Sequence, residues 1–176
     1  MTSSIVTVGD ELCSWRILKW VVGGLVAIVV TFALVLGVVL LFRTEPLAII
    51  PGGRLSGEEV TVPVTDWSFT EQYTTVTLEV RASDPYSVNT SSLFHDGVLY
   101  VPSGFGGESR WAQFLLQDSN MRLRVGQKLY KVRATREINP MLVRELYEEW
   151  VQRYPGQAGK TAEEIAQVWF FRIDPR

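Results

Sequence analysis

The chain has 176 residues, a formal net charge of −2, one histidine and one cysteine. A near-neutral balance gives no electrostatic basis for binding nucleic acid. A lone cysteine excludes an internal disulfide framework, and no cluster of residues has metal-ligand spacing.

The first predicted element is the run Trp20–Phe42, 23 residues without a charged side chain. As a helix rising about 1.5 Å per residue it is roughly 34 Å long, enough to cross a hydrocarbon core. Its one hydroxyl residue, Thr31, can bond a carbonyl of its own helix, so the span satisfies itself in lipid. A buried core helix would carry polar residues on one face. A cleavable signal has a shorter apolar core and a small-residue cleavage site, which LFRTEPLA lacks. The run therefore reads as an uncleaved signal anchor. Near the ends of the run, Arg16 and Lys19 on the N-terminal side face Arg43 on the other, with Arg54 farther out, a slight basic excess for the N-terminal flank. That predicts a single-pass membrane protein with its C-terminal domain extracytoplasmic. Trp15 and Trp20 sit where indoles anchor at an interface, and Cys13 is positioned either for acylation or as an idle thiol.

The predicted organisation is an N-terminal flank (1–19), a transmembrane helix (20–42), a linker (43–58) and one domain (59–176). The linker, RTEPLAIIPGGRLSGE, has two prolines and a GGRLSG stretch, which suit a flexible exit from the membrane. In the domain, Glu59–Val64 and Thr74–Arg81 alternate as strands. In the second, Val76, Leu78 and Val80 are expected on one face, with Thr75, Thr77 and Glu79 on the other. A polar strand is expected over Ser87–Phe94. A hairpin turn at His95-Asp96-Gly97 and a return strand over Val98–Pro102 follow. Ser103–Gly107 is a glycine-rich loop and Arg110–Gln117 a short helix. Met121–Val125 and Lys128–Arg136 form a second hairpin around Gly126-Gln127. Asn139-Pro140 starts a helix that runs to about Tyr154. Thr161 and Glu164 form a capping box for a short last helix. Gln167–Ile173 closes as a strand. The order predicts a mainly β (α+β) domain, a small barrel with two or three short helices.

Few residues suit chemistry. The only histidine, His95, falls in a turn, and no Walker, G-x-S-x-G or G-x-G-x-x-G motif is present. Glu145, Glu148 and Glu149 fit a solvated helix face. From Ser119 to Arg136 there are six Lys or Arg and no acid, four of them (Arg122, Arg124, Lys131, Arg133) on one hairpin face. That face is either a solvated edge or an anionic-ligand or lipid site. In Ser103–Trp111, glycines let backbone N–H groups approach a ligand. Arg110 offers a phosphate fork and Trp111 a stacking plane. The alternative is a flexible loop with Trp111 in the core.

The segment from Asp96 to Arg136 resembles the split β-barrel of flavin and deazaflavin proteins. The resemblance rests on Gly106-Gly107, Trp111, Asp118-Ser119-Asn120, Arg122–Gly126 and Arg133-Ala134-Thr135-Arg136. It extends over roughly Leu78 to Arg176. It is most similar to the deazaflavin-dependent nitroreductase family and more remotely to pyridoxamine 5'-phosphate oxidase-like barrels. The resemblance implies a cofactor site at Arg81, Tyr86, Ser87, Ser103, Gly104, Gly106, Gly107, Arg110 and Trp111. It also implies pairing into a homodimer. The chain departs from the family at the phosphate turn. Arg81-Ala82-Ser83-Asp84-Pro85-Tyr86-Ser87 offers only Arg81 by position, with Tyr86 and Ser87 as weaker donors. Leu116 or Gln117 replaces the usual asparagine after the helix. Flavin mononucleotide (FMN), a deazaflavin, another anionic ligand and no cofactor all remain open. So do two functions, a membrane-anchored oxidoreductase and a cofactor-free module that binds an envelope protein partner.

Overall fold

The computed structural model describes residues 8–41 and 45–176. Residues 1–7 and 42–44, which hold the start of the N-terminal flank, Phe42 and Arg43, lie outside the described residues. The described chain forms two compact units, divided near Arg43.

The first unit is one helix, α1 (Val8–Leu41). Its stretch Leu18–Val38 is long and apolar enough to cross a membrane. The large apolar side chains there are exposed; Trp20 is 81% and Ile28 68% accessible. The Thr31 hydroxyl donates to the Ala27 carbonyl at 2.8 Å, one turn back, as its place in an apolar helix requires.

The second unit is a mainly β, α+β split barrel. Its strands are β1 (Glu58–Val60), β2 (Val76–Val80), β3 (Tyr86–Thr90), β4 (Leu93–His95), β5 (Val98–Ser103), β6 (Asn120–Val125), β7 (Lys128–Arg136) and β8 (Trp169–Pro175). The helices are α2 (Arg110–Gln117), α3 (Pro140–Arg153) and α4 (Ala162–Gln167). The sheet runs β3-β2-β6-β7-β8-β5-β4, antiparallel throughout. β1 adds parallel to the Lys128–Tyr130 end of β7. Near the sheet's two ends, the Thr90 hydroxyl donates to the Pro102 carbonyl at 3.3 Å.

Local chemistry explains the elements that the sequence predicted well. Asp96 and Gly97 both have positive φ, 47° and 82°, as a two-residue turn matching strand twist requires. The Asn139 side chain accepts from the Met141 N–H, with Pro140 at the first helical position. Thr161 and Glu164 form the complete capping box. The polar run 87–94 is instead two strands, β3 and β4, broken at Ser91-Ser92.

Two apolar clusters lie on opposite faces of the sheet. Leu78, Leu99, Val101, Leu123, Val132 and Phe171 fill the barrel with Trp111 of α2. Tyr100 and Phe170 point the other way and pack on Leu146, Tyr147 and Trp150 of α3. β5 is therefore buried on both sides, and β8 is so at Phe170 and Phe171.

β2 is also buried on both sides, which corrects the expectation of a polar outer face. Glu79 is only 2% exposed. The cause is the segment expected to be a linker. Residues 45–58 pack along the barrel as a strap, with Leu55 3% exposed. The Leu55 N–H donates to the Glu79 carboxylate at 2.6 Å. Arg122 Nη1 donates to the same carboxylate at 3.1 and 3.2 Å, and Arg122 Nη2 to the Leu55 carbonyl at 3.2 Å. Gly52 and Ser87 exchange both backbone hydrogen bonds, at 2.8 and 3.0 Å. Arg124 pairs with Glu45 at 2.6 Å, and Lys131 with Glu59 at 2.8 Å. The basic hairpin face is thus answered by Glu45, Glu59 and Glu79, and is not a bare cationic patch.

Breaking a buried pair leaves an unmatched charge. Glu79→Ala is expected to destabilise the protein by about 3 kcal/mol, lowering the melting temperature by roughly 10 °C. It should also open the strap to protease. A variant that melts with the wild type would remove Glu79 from this role. Glu45 has a second consequence. Burial alone would raise its carboxyl pKa, but hydrogen bonds from the Ser56 hydroxyl and N–H and the Arg124 charge outweigh it and hold it below the ordinary range. A depressed carboxylate stabilises the fold above its unfolded pKa and loses that contribution as pH falls through the folded value. Hydrogen-exchange protection at Ser56 should be full at neutral pH and fall first on acidification into that range.

Candidate functional site

The carboxyl end of β5, the start of α2 and the outer end of β3 meet at the barrel rim. Between them lies a cleft of about 580 Å³, within the usual size of a small-molecule site. β5 delivers Ser103 and Gly104, α2 delivers Arg110 and Trp111, and β3 delivers Tyr86.

Five of the nine expected site residues therefore line one cleft: Tyr86, Ser103, Gly104, Arg110 and Trp111. Trp111 combines the two readings left open by the sequence. It is 8% exposed, with its ring 5.4 Å from that of Phe171 in the barrel core, and it lines the cleft as well. Arg110 is exposed and stands over the Tyr86 ring, 5.3 Å from its centroid. It is the only charged residue of the lining, which contains no histidine or carboxylate.

The other four expected residues are used elsewhere. Arg81 pairs with Asp84 and lies over the Phe114 ring at 4.6 Å. Ser87 is fully buried, and its N–H is given to the Gly52 carbonyl. Gly106 has φ +49°, and a Cβ there would stand 1.9 Å from the Gln167 carbonyl oxygen. A Cβ on Gly107 would stand 2.9 Å from the Trp169 ring. The double glycine thus lets the loop close down on the approach to β8. The Ser103 hydroxyl, though in the lining, lies 3.0 Å from the Gly106 carbonyl and 2.8 Å from the Ser109 hydroxyl.

The remaining walls come from segments that no local motif marks. Asn89 and Thr90 belong to β3, and Trp150 and Tyr154 come from α3 and its end. Trp150 Nε1 donates to the Ser91 hydroxyl at 2.9 Å. The Tyr154 hydroxyl donates toward the Thr74 and Ser92 carbonyls, at 3.2 Å each. Ile49 and Pro51 of the strap complete the mouth. In the sequence, Leu142, Leu146, Tyr147 and Trp150 fall on one apolar stripe of α3, which marks Trp150 equally as core.

His95 lies apart from this cleft. Its Nδ1 is 2.6 Å from a Glu149 oxygen, with Asp96 and Glu145 within 3.8 Å of Nε2. Glu149, expected to be simply solvated, ties α3 to the β4–β5 turn. A second cavity of about 450 Å³ lies between the end of β7, α3 and α4, lined by Arg136, Ile138, Val143, Arg144, Ile165 and Val168 among others. The Arg136 guanidinium covers the Trp169 ring there at 3.7 Å.

What the first cleft can do follows from its walls. Aromatic faces and a single guanidinium suit a planar ring carrying an anionic group. The lining has no carboxylate, histidine or lysine, so its ionisable groups besides Arg110 are the hydroxyls of Tyr86 and Tyr154. The size and the cation fit a flavin-type ligand. The absence of Arg81 and Ser87 from the lining limits its phosphate grip to Arg110.

No family model matches the chain, and no curated protein matches it. Solved structures do. A pyridoxamine 5'-phosphate oxidase-type protein from Listeria innocua aligns over 62% of this chain and 89% of its own, at 19% identity and a TM-score of 0.50. A NimC/NimA family protein from Clostridium acetobutylicum aligns over 60% and 76%, at 10% identity and 0.46. An FAD-binding protein from Mesorhizobium loti aligns over 61% and 84%, at 15% identity and 0.47. At these identities the first match shows a shared pyridoxamine 5'-phosphate oxidase-like split-barrel fold.

The two rim glycines should respond differently to a methyl group. Gly106→Ala meets a fixed backbone carbonyl at a left-handed φ and should destabilise by on the order of 2 kcal/mol or more. At Gly104 a Cβ would meet only the Trp150 ring and the Gln157 side chain, at 3.3 and 3.4 Å. Thermal melts of Gly106→Ala and Gly104→Ala check this; equal melting temperatures would show that the Gln167 contact is not what requires glycine.

Proposed function

We propose that this protein is a membrane-anchored split barrel that binds a planar, anionic cofactor of the flavin or deazaflavin type, FMN among them, for an oxidoreductase reaction. The observation that carries this reading is the cleft itself. Its walls are aromatic, its only charge is Arg110, and it contains no carboxylate or histidine. Such a site suits chemistry brought by the ligand, and a flavin or deazaflavin supplies hydride transfer when bound. The protein's part is binding and orientation. Arg110 holds the anionic group, Trp111 and Tyr86 face the ring, and Trp150 closes the far wall. α1 anchors the unit as a single span, with the barrel on the extracytoplasmic side by the basic-flank argument. The nitroreductase-like activity of the resembling family is the specific reaction this reading favours.

A second reading is supported by the strap. The Ser87 backbone and the Arg81 side chain have partners within the fold, as a barrel without a cofactor would have them, although the buried Ser87 hydroxyl has none. Ile138 and Met141, 80% and 78% exposed, stand near the second cavity and suit contact with an envelope protein. In that reading the barrel is a tethered interaction module.

Titration of the purified full chain with FMN and with a reduced deazaflavin, followed by absorbance and fluorescence, separates the two. Saturable binding to either, weakened roughly 10- to 100-fold in Arg110→Ala as a lost charge-assisted contact requires, is the expected result. No binding to either ligand, with an envelope protein retained through gentle detergent purification, would replace it with the second reading.

A further inference from the structure

We infer that the turn Leu47–Ile50 is a lipid-inserted tip, which seats the mouth of the cleft at the membrane surface. The inference rests on the reading of α1 as a membrane anchor.

The turn lies in Pro46–Pro51, six consecutive residues without charge. Leu47 is 61% and Ile49 95% exposed, an unusual display for isoleucine on a folded unit in water. Part of the tip's backbone is satisfied within the fold. Leu47 N–H donates to the Ile50 carbonyl at 3.0 Å and Ile50 N–H to the Leu47 carbonyl at 2.8 Å. The Asn89 side-chain amide reaches the Pro46 and Ala48 carbonyls, at 3.4 Å each. These bonds lower the backbone penalty of entering the interfacial region, where the N–H groups of Ala48 and Ile49 can still meet headgroup oxygens and water. The nearest charges are held by partners outside the tip: Glu45 pairs with Arg124, and Arg54 donates to the Ala82 carbonyl at 2.8 Å.

Chain length supplies the occupant. Only residues 42–46 separate Leu41, the last residue of α1, from Leu47. Fully extended, that chain reaches roughly 20 Å. A turn on so short a tether to a spanning helix stays within reach of the membrane surface. Ile49 lines the cleft as well as the tip, so the two share one edge.

The test uses the full chain with Cys13→Ser and a single new cysteine, Ile49→Cys, carrying an environment-sensitive fluorophore. Val62→Cys, at an apolar residue 72% exposed elsewhere on the unit, is the reference. Both chains are reconstituted in phosphatidylcholine vesicles containing a shallow nitroxide lipid. Several-fold stronger nitroxide quenching at 49 than at 62, with iodide quenching reversed, is expected. A chain that floats with the vesicles but shows equal iodide quenching at both positions would overturn this inference alone. A chain that fails to float would overturn the anchor as well.

Discussion

A carboxylate in the middle of a sheet is costly unless it is fully answered, and Glu79 is answered on two sides. Arg122 reaches it from β6, and the Leu55 N–H from the strap. The desolvation cost of one buried charge therefore holds three segments in register: β2, its neighbour β6, and a stretch far upstream in sequence. Leu55 docks because Glu79 needs a donor. Ser87 is enclosed because Gly52, three residues before Leu55, has been brought to its edge. Ile49 and Pro51 reach the cleft as part of the same arrangement. Remove the carboxylate and the strap, the edge of β3 and one wall of the site lose their common support.

The two-sided burial of β5 gives the site its rigidity. Alternate residues of β5 go to different cores, Leu99 and Val101 to the barrel and Tyr100 to α3. A strand gripped on both faces cannot slip by one residue without exchanging its two apolar sets. Ser103 and Gly104 sit at the end of that strand, so their placement is inherited from it. Arg110 begins a helix whose Trp111 and Ala112 are buried in the barrel core, so it too stands on a fixed element.

Elements governed by near neighbours were legible in the sequence. Asp96-Gly97, Asn139-Pro140 and the Thr161–Glu164 box each act within a few residues, and each formed as their chemistry dictates. Alternation in β6 and β7 was legible because one face of that hairpin is apolar throughout. Glu79 was misleading for a physical reason. Alternation assumes that a polar side chain faces water, and it is silent about a distant strap that turns this face into an interior. The strap itself was hidden by composition, since proline and glycine mark a flexible exit and a tightly docked irregular segment alike. The cleft was half legible. Tyr86, Ser103, Gly104, Arg110 and Trp111 come together as the resemblance implied. Trp150 and Tyr154 enter from α3, and nothing local distinguishes a wall residue there from a core residue. Gly106 and Gly107 were expected to let the backbone approach a ligand, whereas what comes close to them is the protein's own Gln167 and Trp169.

The place of β8 in the sheet has a consequence for folding. β8 follows every other strand in the chain, yet it lies between β7 and β5 and completes both pairings. Until it emerges, the β3-β2-β6-β7 half and the β5-β4 half have no shared hydrogen bonds through the sheet. The two halves are joined through the sheet only when β8 docks, so closure of the barrel waits on pairings between residues far apart in sequence, the kind of step that folds slowly and leaves two open edges exposed in the meantime.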